Sequence, residues 1–247
     1  MITKTDIQNI LQDLAKNSTE PYLSEAQLQF DLAWELQTNA TKYDIKKIFL
    51  ENTALIGTFT TATGTSSKRF EYDIIVLFND NTFIAIELKY KTSEADINGV
   101  QLVQQAGQPG TKYDYIWDIR RIELLKNNYT GHSIGSNEYK QNSNTLKDAI
   151  CSGGYAIFLT NDGSYYNTPR KGTAYDFRLK DKDENGKSIN RIISCKDTLK
   201  WDADYPLADK DWRKSREEPI TLDGDYELEW EKSKYYTGFN YLITEIK

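Results

Sequence analysis

Apolar residues at Ile7, Ile10, Leu11 and Leu14 recur with the spacing of one helix face, which predicts a helix from Thr5 to Lys16. Pro21 interrupts it. Ser24-x-x-Gln27 is a capping-box pattern, so a second helix is expected to start near Ser24 and stop at Asn39. Its expected apolar members are Ala26, Phe30, Ala33 and Trp34, with Leu23 at the entry. Lys46 to Leu50 reads as a short strand, and the small polar run GTFTTATGTSS from Gly57 as a linker or hairpin loop. YDIIVLFNDNTFIAIELKYK, from Tyr72 to Lys91, reads as two apolar strands joined by a polar turn. Gly110 to Asn127 is helical, with Tyr113, Ile116, Trp117, Arg120 and Leu124 marking the period. GGYAIFLTND, from Gly153, is a strand with the continuous apolar character of burial on both faces. No elements are assigned between Gly163 and about Leu222, where the chain is charged, aromatic and irregular. DYELEWEK from Asp225 alternates like a half-buried strand, and FNYLITEI from Phe239 ends the pattern as a last strand. The mixture predicts an α/β protein with a mixed β-sheet flanked by helices, formed as a single domain over residues 1–247.

Composition narrows the chemistry. The 247 residues are 38% hydrophobic and 28% charged, with 17 Tyr and 5 Trp, which is globular and not disordered. No apolar run approaches the roughly 20 residues of a membrane span, and MITKTDIQNILQDLAKN lacks the apolar segment of a signal peptide. The glycosylation patterns at Asn17, Asn39 and Asn128 are therefore read as chance. Cys151 and Cys195, the only cysteines, lack C-x-x-C spacing; this excludes a zinc ribbon and suggests reduced thiols in a cytoplasmic protein. The one histidine, His132, lies in the loop-like NNYTGHSIGSNEY and excludes sites built on several histidines. Gly64 and Lys68 fail the spacing of a phosphate-cradling loop. Net charge is −6 with pI ≈ 5.1, which is not the footprint of a general nucleic-acid binder but leaves room for a local basic face. Catalysis, if present, rests on carboxylates, lysines, tyrosines or a hard metal ion.

The hairpin concentrates these types. With a three-residue loop, Asn79-Asp80-Asn81, Phe78 pairs with Thr82, Asp73 falls opposite Glu87, and Glu71 opposite Lys89. A two-residue turn would put Asp73 and Glu87 on opposite faces. Two facing carboxylates need a raised pKa, a neighbouring cation or a bound metal. Lys89 supplies one positive charge. Mg²⁺ would supply more, taking the carboxylates and the Leu88 carbonyl as ligands. Water activated by such an ion can attack a phosphodiester, with Lys89 orienting or deprotonating it.

Asp73 followed fourteen residues later by Glu87-Leu88-Lys89 resembles the core of the PD-(D/E)XK nucleases. Tyr72 stands where the motif's proline would be, a position that varies in that superfamily. The resemblance runs from about Ser24 to Asp162. It implies a restriction-endonuclease-like core over about 20–165, with a C-terminal elaboration over about 166–247. It also implies a Mg²⁺-dependent nuclease, Mn²⁺ being able to substitute, that hydrolyses DNA in restriction, defence or repair. Asp73, Glu87 and Leu88 would bind metal, and Lys89 would position the water. Glu25, with Glu35 as second choice, would be the helix glutamate that orients water or a second ion. A homodimer would suit cleavage of two strands, although no residue here argues for one. The alternatives are an inactive binding or interaction module on the same fold, and a hairpin whose charges are surface pairs such as Glu71 with Lys89.

Three further groups carry charge. Asp114 and Asp118 share a helix face, and Arg121 lies three residues from Asp118, so Arg121 either pairs within the helix or contacts phosphate. Gln104 and Gln105 precede that helix, near where some PD-(D/E)XK nucleases carry an extra polar residue. KDWRKSR, with Trp212, Arg213, Lys214 and Arg216, joins Arg170-Lys171 as the candidate nucleic-acid face.

Overall fold

Thr3 starts the first helix by accepting a hydrogen bond from the Asp6 amide while Asp6 reaches back to the Thr3 amide, the reciprocal box that satisfies two free donors. The computed structural model describes residues 2–18, 20–55, 59–61, 64–66, 69–129, 146, 148–202, 215–234 and 238–247. His132, Trp212, Arg213, Lys214 and parts of the Gly57 linker and of the Asn17 and Asn128 glycosylation patterns lie outside the described residues. The helices are α1 (Lys4–Asn17), α2 (Glu25–Thr38), α3 (Ala40–Tyr43), α4 (Gln108–Asn128) and α5 (Gly163–Tyr166). The strands are β1 (Ile45–Leu55), β2 (Phe59–Thr61), β3 (Gly64–Ser66), β4 (Arg69–Phe78), β5 (Thr82–Lys91), β6 (Ala95–Ile97) and β7 (Val100–Leu102). They continue with β8 (Ile150–Thr160), β9 (Asp181–Lys182), β10 (Ser188–Ile189), β11 (Arg191–Ile193), β12 (Tyr226–Leu228), β13 (Trp230–Lys232) and β14 (Asn240–Ile246).

The main sheet runs β1-β4-β5-β8-β14-β13. It is mixed: β5 and β8 are parallel, joined through α4, and every other pair is antiparallel. One face packs α1 and α2 against Ile74, Val76, Ile84, Ile86 and Leu88. The other packs α4 and the chain beyond Tyr165 against Ile75, Leu77, Phe83, Ala85 and Phe158. Strand alternation therefore buries both faces of β5 and β8, as the apolar runs require. Gly154 faces the Ala85 backbone so closely that a Cβ there would overlap the carbonyl, at the point where the β5–β8 register shifts.

Three expectations need correction. In α2 the buried stripe is Leu28, Leu32, Ala33 and Leu36, whereas Leu23, Phe30 and Trp34 are exposed. The helix carries two apolar stripes, and the sheet takes the aliphatic one, which turns Glu25 and Gln29 toward β4 and β5. Lys46–Leu50 is only part of an eleven-residue strand. DYELEWEK is two strands in different sheets: β12 pairs with β11, and β13 with β14.

Candidate active site

The β4–β5 loop has three residues. Asn81 adopts φ +67°, and Leu77 pairs with Phe83, Val76 with Ile84 and Ile74 with Ile86. Continuing that register would set Asp73 opposite Glu87, but the ladder ends at Ile74 and Ile86. Beyond it, β4 continues along β1 and β5 along β8. The two strands form a fork. β4 also steps by one residue here: Tyr72 joins Ile75 and Leu77 in the α4-side core, against the period of two. Its neighbour β1 has Glu51 at φ +48° at the same level.

A fork leaves backbone groups to satisfy. Alternate amides of β5 face the vacated edge. The Leu88 amide donates to Asp73 Oδ2 at 2.6 Å, and the Tyr90 amide to Glu25 Oε2 at 2.7 Å. On the other prong, the Asp73 carbonyl accepts from Gln29 Nε2 at 2.7 Å, and the Glu71 carbonyl from the Arg121 guanidinium. Glu25 and Gln29 are four apart on α2, so one helix face reaches both prongs.

The α4 side adds the counter-charges. Glu87, 1% exposed, pairs with Arg121 Nη2 at 3.1 Å. Arg121 Nη1 pairs with Asp118 at 3.3 Å, and Lys89 Nζ lies 2.7 Å from Asp118 Oδ2 and donates to the Leu88 carbonyl at 2.9 Å. The guanidinium packs over the Phe70 and Tyr72 rings, and the Tyr72 hydroxyl donates to the Arg121 carbonyl. Burial pushes the Glu25 and Asp73 carboxyls above their ordinary range, with Lys89 opposing. Burial, reinforced by the charge of Asp118, raises Glu87 well above its ordinary value. Burial works against the Lys89 ammonium, yet Asp118, Glu25 and Glu87 together hold its pKa above that of an ordinary lysine.

The cluster sets four carboxylates against two cations. Carboxylate and carbonyl oxygens are the ligand types a hard divalent ion takes. As placed, each is engaged by a donor of the protein, and among the described residues no three His, Cys, Asp or Glu side chains gather closely enough to hold a metal ion.

Asp73, Glu87, Leu88, Lys89 and Glu25 thus meet at the fork. Glu35 does not; its carboxylate accepts from Asn39 at the end of α2. Glu71 pairs with Thr53 of β1, so no Glu71–Lys89 cross-strand pair forms. Arg121 makes its intrahelical bond to Asp118 and also closes on Glu87. Arg216 forms a two-pronged pair with Asp114 at 2.6 and 2.8 Å. Gln104 turns to Asp162, and the Gln105 amide to the Thr92 carbonyl. Sequence reasoning missed Gln29 and the role of Asp118 as partner of Lys89. Their signals were the four-residue step from Glu25 and the three-residue step to Arg121.

The chain matches no protein-family model, and no curated protein or solved structure is significantly similar to it. Among the described residues no helix is long and apolar enough to cross a membrane.

Proposed function

We propose that the fork is the active centre of a nuclease that depends on a divalent metal and hydrolyses DNA, in restriction, defence or repair. The observation that carries this reading is the meeting of Asp73, Glu87 and Lys89 with Glu25 where β4 and β5 part, close enough for their charges to shift one another's pKa values. The order helix, three strands, helix, strand formed by α2, β1, β4, β5, α4 and β8 agrees with a restriction-endonuclease-like core and supports it.

Asp73, Glu87 and the Leu88 carbonyl would hold Mg²⁺ or Mn²⁺. Such an ion, when bound, polarises a phosphodiester and lowers the pKa of water. Asp118 fixes the Lys89 ammonium, and the raised pKa keeps it charged. Lys89 therefore orients the attacking water and offsets charge on the phosphate; it does not take the proton. Glu25, pushed up by burial, is the better acceptor.

The test is plasmid nicking by purified protein with Mg²⁺ or Mn²⁺ and with EDTA, beside Lys89→Ala and Asp73→Ala. Metal-dependent cleavage lost in both variants is expected. One observation favours a second reading, a binding module on the same fold: Asp73, Glu25 and Glu87 are already closed by Leu88, Tyr90 and Arg121. That reading wins if duplex, branched and single-stranded DNA and RNA all stay intact and calorimetry detects no Mg²⁺ or Mn²⁺ binding.

A further inference from the structure

A cavity of ≈ 170 Å³ opens at the first turn of α4, where Gln108, Lys112, Arg170, Tyr175 and Arg178 line it. Lys112 is half-buried, and its Nζ lies over the Tyr165 ring at 5.6 Å from the centroid. It forms no ion pair among the described residues. The carboxylate nearest in charge, Asp162, is already taken by the Ser164 amide and by the Gln104 and Gln108 side chains. Arg170 is exposed at the rim and likewise has no ion pair among the described residues. Arg178 differs: Asp181 binds it at 2.9 Å, and it packs over the Tyr175 ring at 4.3 Å, so it forms a fixed wall. Among the described residues, the cavity therefore holds two cations without an ion pair around a concave space in an acidic protein.

We propose that this pocket binds a phosphoryl group, with Lys112 and Arg170 as its charge partners. A phosphoryl group offers several acceptor oxygens, which suits the point charge of Lys112 and the planar fork of Arg170 together. Burial depresses the Lys112 pKa, with Asp162 opposing, so an anion at Nζ would relieve the strain of the buried charge. The phosphoryl group could belong to a nucleic-acid strand or to free phosphate. The strand source rests on the nuclease reading: Asp118 lies six residues along α4 from Lys112, about 9 Å at 1.5 Å per residue, so a strand crossing the fork could lay a flanking phosphate here. The pocket itself does not require the fork to be catalytic.

The experiment measures binding in EDTA, so that cleavage plays no part. The full chain is titrated with inorganic phosphate, and separately with a labelled single-stranded oligonucleotide carrying either a phosphodiester or a neutral methylphosphonate backbone. Parent, Lys112→Met, Arg170→Ala and Lys46→Met are compared, with Lys112→Arg as the conservative rescue and thermal melting as the check on folding. Lys112→Met and Arg170→Ala are each expected to weaken phosphate binding about 10-fold, with Lys112→Arg restoring most of it and Lys46→Met, exposed on β1, leaving it unchanged. If the strand is the source, the same two variants weaken the phosphodiester oligonucleotide and lower its salt slope by about 1. If free phosphate is the source, they leave the oligonucleotide untouched. No phosphate binding, or binding insensitive to Lys112 and Arg170, overturns the proposal whatever the plasmid assay shows.

Discussion

Asp73 closes across the fork onto the amide of Leu88 at 2.6 Å, so a residue expected to hold metal also completes the backbone of the neighbouring strand. The two roles make different demands. A backbone cap needs only an oxygen acceptor, whereas metal binding needs a negative charge. Asp73→Asn keeps the acceptor and is expected to fold with stability within about 0.5 kcal/mol of the parent, while Asp73→Ala loses about 1–2 kcal/mol by stranding the amide. Both should lose cleavage. Urea denaturation of the two variants beside the plasmid assay separates the roles; equal destabilisation by Asn and Ala would refute the capping account.

The pair Lys89–Asp118 is mostly buried, with side-chain exposures of 18% and 3%. Removing one partner leaves the other charge in a poorly solvated place. Asp118→Asn and Lys89→Met are each expected to cost about 3 kcal/mol. The double variant should cost less than their sum, because neither charge is then stranded. A double-mutant cycle by denaturant titration measures the coupling, and simple additivity would show that the two charges are independently solvated.

Burial lowers the Lys112 pKa, which fixes the sign of a pH effect. A base whose folded pKa is depressed weakens the folded state at any pH below that depressed value. The penalty fades as pH rises toward the ordinary lysine value of about 10.4. Lys112→Met should therefore be at least as stable as the parent at pH 7 without phosphate, and the parent should gain on it as pH rises toward the ordinary lysine value. Melting curves across that range decide it, and a gap that widens with pH would reverse the assignment.

Gly154 sits where β8 passes Ala85, and Gly153 (φ +118°) where it passes Ile246. Gly154→Ala must push β8 away from β5 along the strand pair that carries Lys89. It is expected to abolish accumulation of folded protein, whereas Gly172→Ala, where a Cβ meets nothing within 4 Å, should be neutral. Expression and circular dichroism of the two variants provide the comparison.

Much of the site was legible because it depends on local rules. Asn81 tolerates a left-handed backbone, so the odd loop length and the register of β4 with β5 as far as Ile74 and Ile86 follow from three adjacent residues, although the ladder stops short of pairing Asp73 with Glu87. Ser24 marks the start of α2, although Gln27 reaches the amide of Leu23 instead of that of Ser24. The fork was not legible. Where β4 leaves β5 is settled by β1 and β8 competing for their outer edges, and those strands lie far off in sequence. The choice between the two apolar stripes of α2 was also tertiary, since periodicity accepts the stripe with Phe30 and Trp34 as readily as that with Leu28 and Leu32. Asp118 read as half of an intrahelical pair because its other partner, Lys89, belongs to a strand that only the fold brings near.

Strand β14 lies against β8 from Thr160 to Gly154, although it follows β8 by nearly a third of the chain. While the protein is being made, β8 emerges before β14, so one side of its backbone, along Ile157, Phe158 and Leu159, stays unpaired until β14 follows. An open apolar edge of this kind is a template for another chain. The strand that closes it thus acts as a built-in guard against aggregation, and lesions in residues 240–246 should first appear as inclusion bodies, before any chemistry can be assayed.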